Sequence, residues 1–253
     1  MRGRLAIKFI YMNYNQKTTL FFDIETVPAV AKYANLSEPM QEAWLKKCKS
    51  LRKDDPEASP EDLWSQAGLS AEFSKVICIS LGFYREQGDF DIISCYGDDE
   101  KKLLSEFSER LNQFRQKRNQ LTLSGHNILE FDIPFLFRRM LLLQMEIPTE
   151  LNISEVKPWE QKDRYIDTLK TWSMGVWGSR ISLNTLCAVI GIPSPKEELS
   201  GDKVGKAYWE ESRLEDIRRY CEQDVLAQAR VVRHLCGEDP MAIELQDSPK
   251  LFD

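Results

Sequence analysis

The sequence has little of several features that mark particular classes of protein. Among 253 residues there are only two histidines, and the six cysteines form no C-x-x-C pair. A zinc site built from clustered His and Cys ligands is therefore excluded. No apolar run approaches the ~18 residues that a membrane-spanning helix needs. The net charge of -6 also excludes a polycation that binds nucleic acid through bulk charge alone.

Composition and length predict a folded, soluble protein with one large domain. Hydrophobic residues make up 42% and charged residues 29% of the chain, as in ordinary globular proteins. The cysteines lie mostly within apolar runs, which is typical of small core residues in a reducing cytoplasm. Residues 1–17 are basic and lack a signal-peptide cleavage site, so we expect a loose leader, with Met12 as an alternative start. We place the domain at 18–236 and treat 237–253 as a tail.

The spacing of apolar residues predicts the order of the core elements. The segment TTLFFDIE, residues 18–25, alternates with the period of a strand. Two β-rich runs, 76–84 and 90–96, are joined by a short connection containing Gly, which predicts an antiparallel hairpin. Further strands are predicted at 121–125 and 165–169, and helices at 100–118, at 133–145, from Ser182 to Gly191, and from the capping box Ser212-x-x-Glu215 to Gly237. This order predicts an α/β fold with a mixed five-stranded sheet and helices on both faces.

Residues 28–75 predict a small helical insertion after the first strand. Helical stretches surround Trp44 and Trp64, and Gly68 ends the second of them. The insertion carries charges of both signs, so a solvated helical face is the simpler interpretation and a surface for a protein partner is the alternative.

The first candidate site residues are Asp23 and Glu25. They lie two apart on the predicted strand, so both side chains leave the same face, while Leu20, Phe22 and Ile24 fill the other. Two adjacent carboxylates repel each other unless a cation lies between them. The alternative is a strand end that emerges into solvent.

The second candidate segment is GHNILEFDIPFL, where the fourth strand ends and a helix begins. Asp132 stands at this crossing, where open α/β sheets bind their ligands, although a carboxylate here can also cap the helix. Asn127 and Phe131 add an amide and an aromatic ring at the same edge, which suits a nucleotide base or sugar.

The third candidate segment is YCEQDV on the last predicted helix. Tyr220 and Asp224 are four residues apart and share one face beside the apolar stripe. A carboxylate beside a buried stripe is costly unless it is paired or bound to metal. The alternative is a Tyr packed at the core edge and an Asp turned toward solvent.

The three segments together favour a site for divalent metal. Four converging carboxylates require about two divalent cations for neutrality, and hard oxygen ligands select Mg²⁺ or Mn²⁺. Such an ion pair supports attack of an activated water on a phosphodiester, which is the chemistry of a nuclease.

The motifs FFDIETVP, HNILEFDIPFL and YCEQDV resemble those of the DEDD exonuclease superfamily. SLNTLCAVIGIPSPK and SGDKVGKAY match the stretch that the family places before its third motif. The chain is most similar to stand-alone exonucleases related to the proofreading domain of family-B DNA polymerases. The resemblance covers residues 18–236 and implies a ribonuclease H-like fold and removal of nucleotides from a 3′ end.

The resemblance also implies a role for each carboxylate. Asp23 would bridge two metal ions, Glu25 and Asp224 would hold the ion on the nucleophile side, and Asp132 would support the second ion, partly through water. Tyr220 stands four residues before the last Asp, which makes this the tyrosine subtype. Its unperturbed pKa near 10 favours orienting a water over abstracting a proton.

Substrate contacts are predicted for Thr26, Asn127, Phe131 and Lys196. The resemblance suggests Thr26 and Phe131 at the terminal nucleotide and Lys196 near the phosphates. Turn, core and solvated-loop roles are the alternatives. Asp167 is either a supporting carboxylate of the site or an ordinary strand-end residue.

The sequence thus predicts a metal-dependent 3′–5′ exonuclease that releases nucleoside 5′-monophosphates, with single-stranded DNA favoured as substrate. An RNA 3′-exonuclease is the alternative within the same class. A catalytically silent nucleic-acid-binding module is the alternative outside it, although the intact carboxylates argue against that. We expect no membrane association.

Overall fold

The first predicted strand lies at the centre of the sheet. The computed structural model describes residues 14–52, 56–86, 88–118, 120–176, 178–193 and 199–243. Its strands are β1 Thr19–Pro28, β2 Ser74–Tyr84, β3 Phe90–Tyr96, β4 Thr122–Gly125 and β5 Tyr165–Asp167. The sheet order is β3-β2-β1-β4-β5, with antiparallel pairing from β1 through β2 to β3 and parallel pairing from β1 through β4 to β5. The expected mixed five-stranded sheet is confirmed.

Helices cover both faces of the sheet, as predicted. They are α1 Glu38–Leu51, α2 Glu100–Lys117, α3 Asp132–Leu142, α4 Pro158–Arg164, α5 Thr168–Ser173, α6 Leu183–Ile190, α7 Val204–Trp209 and α8 Leu214–Leu235. Leu20, Phe22 and Ile24 of β1 join the large apolar core formed with α2 and α3. Phe21 points to the opposite face and packs with Val225 of α8. The period of two in β1 therefore sends Asp23 and Glu25 toward α8.

The helical insertion packs around its own aromatic core. Trp44 of α1 is fully buried and meets Trp64 edge to face, with ring centroids 5.1 Å apart. The second helical stretch, Trp64–Leu69, is a 3₁₀ helix. The Thr26 hydroxyl donates to the Gly68 carbonyl at 2.7 Å, so the insertion is attached to β1 one residue beyond Glu25.

Several predicted element ends were wrong. The predicted fifth strand ends at Asp167, because its carboxylate caps α5. The predicted helix at 133–145 begins at Asp132 and ends at Leu142. The capping box was also wrong: Arg213 is the N-cap of α8, while Ser212 has a positive φ of 54° and Glu215 lies inside the helix. Arg213 instead pairs with Asp216 in the first turn, at 2.7 Å.

Residues close to both predicted domain boundaries join the core. The Tyr14 ring packs on Phe21, and Ile243 is buried in the same cluster. Residues 1–13 of the predicted leader and 244–253 of the predicted tail lie outside the described residues. All six cysteines are buried free thiols, and the cytoplasmic location stays a prediction. Within the described residues, each helix is too short or too polar to cross a membrane.

Candidate active site

The acidic side chains of β1 lie against α8. Asp23 and Glu25 contribute oxygens that, with the Cys221 sulfur, all lie within 4.8 Å of one another. Glu25 is 7% exposed although it is a carboxylate near the end of a strand. The ladder to β2 shifts register between Glu25 and Thr26, so a bulge follows the acidic pair immediately. The alternative of a solvated strand end does not fit this burial.

One face of α8 holds Asp23 in place. Gln228 donates an amide N–H to Asp23 Oδ1 at 2.9 Å. The Cys221 thiol donates to the backbone carbonyl of Asp23 at 3.4 Å and lies 3.7 Å from its Oδ2. Both contacts come from fully buried side chains, so these two residues of α8 fix the orientation of the Asp23 carboxylate.

Asp132 enters the site from the start of α3. It is 3% exposed, and the backbone N–H groups of Asp132 and Ile24 favour the charged form of its carboxyl. The N-cap of α3 is Phe131, so the alternative of Asp132 as the cap residue does not hold. Burial, with the charges of Asp167 and Asp224, raises the pKa of Asp132 to about 7.

Tyr220 and Asp224 stand one helical turn apart on α8. The Tyr220 hydroxyl lies near enough to Asp224 to lower the pKa of that carboxyl, although burial and the charge of Asp23 outweigh this effect. Burial and the charge of Asp23 raise the pKa of Asp224 to about 8. Burial and the charges of Asp224, Glu25 and Asp23 raise the pKa of the Tyr220 phenol above its ordinary value, so it is neutral at physiological pH.

The four carboxylates affect one another electrostatically. Burial, followed by the charge of Asp132, raises the pKa of Asp23, and burial, followed by Asp23 and Asp224, raises that of Glu25. Three distant parts of the chain therefore bring Asp23, Glu25, Asp132 and Asp224 within electrostatic range of one another. Among the described residues, the group whose ligand atoms all lie within 4.8 Å of one another is Asp23, Glu25 and Cys221, and it includes neither Asp132 nor Asp224. Their oxygens are hard ligands of the kind that Mg²⁺ and Mn²⁺ prefer, and a bound cation would relieve their repulsion. The group could hold divalent metal.

The family described as "predicted 3'-5' exonuclease related to the exonuclease domain of PolB" matches residues 68–231, which is more than half of the chain. The chain belongs to this family. Its match includes Asp132, Tyr220 and Asp224 but begins after β1, so the placement of Asp23 and Glu25 comes from the sheet.

The chain was also compared with solved structures and with curated proteins. The family B DNA polymerase from the hyperthermophilic archaeon Pyrobaculum calidifontis is similar at a TM-score of 0.45 and 13% identity, over 87% of this chain and 27% of the polymerase. This chain thus spans about a quarter of that polymerase's length. No curated protein matches the sequence significantly.

Asp167 supports the site through the backbone around it. It is 4% exposed, and its carboxylate accepts N–H groups from Asn127 and Leu129 after β4 and from Leu169 and Lys170 of α5. The strand-end alternative describes its position, but these four bonds make it a positioning residue. It joins the turn that leads to Asp132 with the start of α5.

The predicted substrate residues differ in how the structure places them. Asn127 lies in the turn after β4 with a positive φ of 69° and lines an open groove. Thr26 uses its hydroxyl to hold the insertion, as described above. Phe131 is partly buried and packs on Phe135, with ring centroids 5.4 Å apart. Lys196 lies outside the described residues.

Gln228 is a site residue that the sequence analysis missed. It follows Asp224 by one helical turn, and it is a fully buried polar residue among apolar neighbours. That combination was a usable signal, because buried amides require hydrogen-bond partners. Asp167 gave a weaker signal, since its partners come from two separate loops.

Proposed function

We propose that this chain is a metal-dependent 3′–5′ exonuclease that shortens single-stranded DNA from its 3′ end and releases nucleoside 5′-monophosphates. The observation that carries the proposal is the convergence of Asp23, Glu25, Asp132 and Asp224 beside Tyr220. Membership of the PolB exonuclease-related family, described as predicted 3'-5' exonucleases, supports the direction of attack.

The carboxylates suit a pair of Mg²⁺ or Mn²⁺ ions. Asp23, Glu25 and Asp224 would hold one ion, and Asp23 and Asp132 the other. Bound in this way, such ions lower the pKa of water and neutralise the phosphodiester oxygens. Gln228 and Cys221 keep the Asp23 carboxylate in position for this task.

Tyr220 contributes as a hydrogen-bond donor and acceptor. In the metal-free protein, burial and three carboxylates raise the pKa of the phenol, so it keeps its proton at neutral pH, and we assign it the orienting role rather than that of the base. Its hydroxyl, which interacts with Asp224, is suited to orienting the attacking water. Asp167 acts at one remove, by holding the turn from Asn127 to Leu129 that precedes Asp132.

A labelled oligonucleotide tests the proposal. With Mg²⁺ or Mn²⁺, the protein should shorten a 5′-labelled single strand one nucleotide at a time, and a blocked 3′ end should stop it. Asp23→Asn should lower the rate by at least about 100-fold, because a direct metal ligand matters at least as much as its supporting partners. Glu109→Gln, which removes one exposed charge on α2, should retain full activity. Full activity of Asp23→Asn would refute the proposal.

The same assay resolves the nature of the substrate. Matched DNA and RNA strands should be degraded at different rates, with DNA faster. If RNA is degraded faster than DNA, the preferred substrate is RNA. Tight binding of either strand without turnover would instead indicate a catalytically silent nucleic-acid-binding module. A protein partner for the 28–75 insertion and a cytoplasmic location remain our proposals.

A further inference from the structure

The side of α8 that faces away from Tyr220 and Asp224 carries polar side chains of its own. With about 3.6 residues per turn, Tyr220 and Asp224 lie on one flank of the helix, and Glu222 and Arg218 lie on the opposite flank. The stripe between the two flanks packs on the sheet and contains the fully buried Cys221. Any rotation of α8 about its axis therefore moves both flanks together.

A chain of hydrogen bonds connects the far flank of α8 to the sheet. The Ser94 hydroxyl of β3 donates to Glu222 Oε1 at 2.7 Å, and Arg218 donates to the same oxygen at 2.6 Å. The hydroxyl oxygens of Ser94 and of Ser80 on β2 lie 2.9 Å apart. Since Ser94 gives its single proton to Glu222, Ser80 is the donor in this second bond. The Glu222 carboxylate is thus held by the sheet on one side and by its own helix on the other.

This chain of hydrogen bonds begins in the row of the sheet that holds Asp23. Asp23 of β1 pairs with Ser80 of β2, and Ser80 pairs with Ser94 of β3, so the three side chains leave the same face of the sheet. Ser80 is fully buried there, at a position that β-branched or aromatic residues would fill better. The acidic site and the Ser94–Glu222 bond therefore stand on one row of three paired strands.

Contacts along the stripe do not by themselves stop α8 from rotating about its axis. Cys221 and Gln228 donate to Asp23 at 3.4 and 2.9 Å. Both lie where the helix touches the sheet, so a small rotation about that line changes these distances little. The Ser94–Glu222 bond lies to one side of the line, and the same rotation would stretch it beyond hydrogen-bonding distance. This bond therefore restrains the rotation of α8.

A second contact on the same flank is weaker. Tyr96 of β3 donates to Glu215 at 2.7 Å, but the Glu215 side chain is 57% exposed, against 24% for Glu222. Water competes for an exposed carboxylate, whereas a hydrogen bond to a half-buried one is stronger. The main restraint on this flank is therefore the bond between Ser94 and Glu222.

We propose that Ser94 and Glu222 are positioning residues, whose hydrogen bond sets the rotation of α8 and with it the distance of Tyr220 and Asp224 from Asp23. The inference rests on the proposed function and adds two residues that act on the reaction through others. Displacing a reacting group by about 1 Å can cost about 100-fold in rate. Loss of the bond should therefore slow the catalytic step and leave substrate binding unchanged.

Ser94→Ala tests this role. It should lower kcat by about 10-fold or more, raise the Mg²⁺ concentration that gives half of the maximal rate, and leave KM for a single-stranded oligonucleotide unchanged. Ser94→Thr keeps the hydroxyl and suits a strand, so it should restore kcat. The matched control is Ser105→Ala, which removes an exposed hydroxyl that donates to the Lys101 carbonyl of its own helix, α2. This control should behave like wild type.

A double-mutant cycle shows whether the two residues act through one bond. Glu222→Ala introduces the best helix former, so it removes the contact without weakening α8 locally. The variant with both substitutions should be no slower than the slower single variant, because the bond can be lost only once. Independent losses that multiply, or a Ser94→Ala variant that melts lower but keeps the wild-type kcat, would overturn the inference and leave the proposed function intact.

The melting temperature separates failure of this inference from failure of the proposed function. If the wild type degrades no oligonucleotide, the proposed function fails. The Mg²⁺-induced rise in melting temperature then decides the inference alone, because a displaced Asp224 should make the rise smaller in Ser94→Ala than in Ser105→Ala. An equal rise in both variants, or no rise in the wild type, would overturn the positioning role.

Discussion

Replacing one carboxyl of the acidic cluster with an amide should stabilise the metal-free protein toward neutral pH. In the fold, burial raises the pKa of Asp224 to about 8 and that of Asp132 to about 7, from the ordinary value of 3.8. Between these values the folded state holds protons that the unfolded chain releases. The free energy of unfolding therefore falls as pH rises from about 4 toward 8. Asp224→Asn keeps the shape of the side chain and removes its share of this loss.

The size of the effect follows from the pKa values. A carboxyl that stays protonated only in the folded state lowers stability by about 1.4 kcal/mol per pH unit. Between pH 5 and pH 7 the Asn variant should thus gain at most about 3 kcal/mol over wild type. Small movements and water relieve part of the burial, so we expect about half, or roughly 1.4 kcal/mol. For a chain of this length that is a difference of about 3 to 6 °C in melting temperature.

Thermal melts in EDTA at pH 5, 6, 7 and 8 measure this difference. The advantage of Asp224→Asn should widen with pH, whereas Glu109→Gln should stay parallel to wild type. Adding Mg²⁺ at pH 7 should raise the melting temperature of wild type more than that of the variant, since bound metal stabilises the state that holds it. Melting temperatures of variant and wild type that run parallel across the pH range would refute the idea that Asp224 keeps its proton in the folded, metal-free protein.

Two further variants test other parts of the site. Tyr220→Phe should lower kcat by less than about 100-fold, below the range of a lost general base, and retain the Mg²⁺-induced rise in melting temperature. Loss of the metal response would contradict a purely orienting role. Gly125→Ala places a Cβ 2.3 Å from Ile128 Cγ2 and 2.9 Å from the Phe22 carbonyl oxygen. Such overpacking should lower stability by about 1 to 3 kcal/mol, while Gly201→Ala, with no atom within 4 Å of the added carbon, should melt like wild type.

The sheet and the placement of the carboxylates were predictable because they depend on short periods in the sequence. Alternation in β1 determines that Asp23 and Glu25 share a face, and helical spacing places Asp224 one turn after Tyr220. The strand order then brings the ends of β1 and β4 together beside α8. Each of these steps requires only local pattern and the general rules of α/β sheets.

The supporting contacts were not predictable from local pattern. The role of Asp167 depends on two loops that meet only after β4 and β5 have paired. The predicted start of α8 was wrong for a related reason. The sequence after Ser212 fits a capping box, but Ser212 has a left-handed backbone conformation and the helix begins after it. The role of an isolated capping residue or of a carboxylate at a strand end therefore depends on tertiary contacts.

Gln228 shows why a polar side chain lies buried beneath Asp23. Its carbonyl oxygen is buried and accepts no hydrogen bond from the described residues, a deficit that costs about 1 to 3 kcal/mol. A leucine in its place would remove this deficit but leave Asp23 Oδ1 without its N–H donor. The N–H donor matters more at this position than the unbonded oxygen. Asp23 lies on β1, is hydrogen-bonded by α8 and is affected by the charge of Asp132. The Gln228 amide therefore lowers the stability of the fold but fixes the orientation of the Asp23 carboxylate.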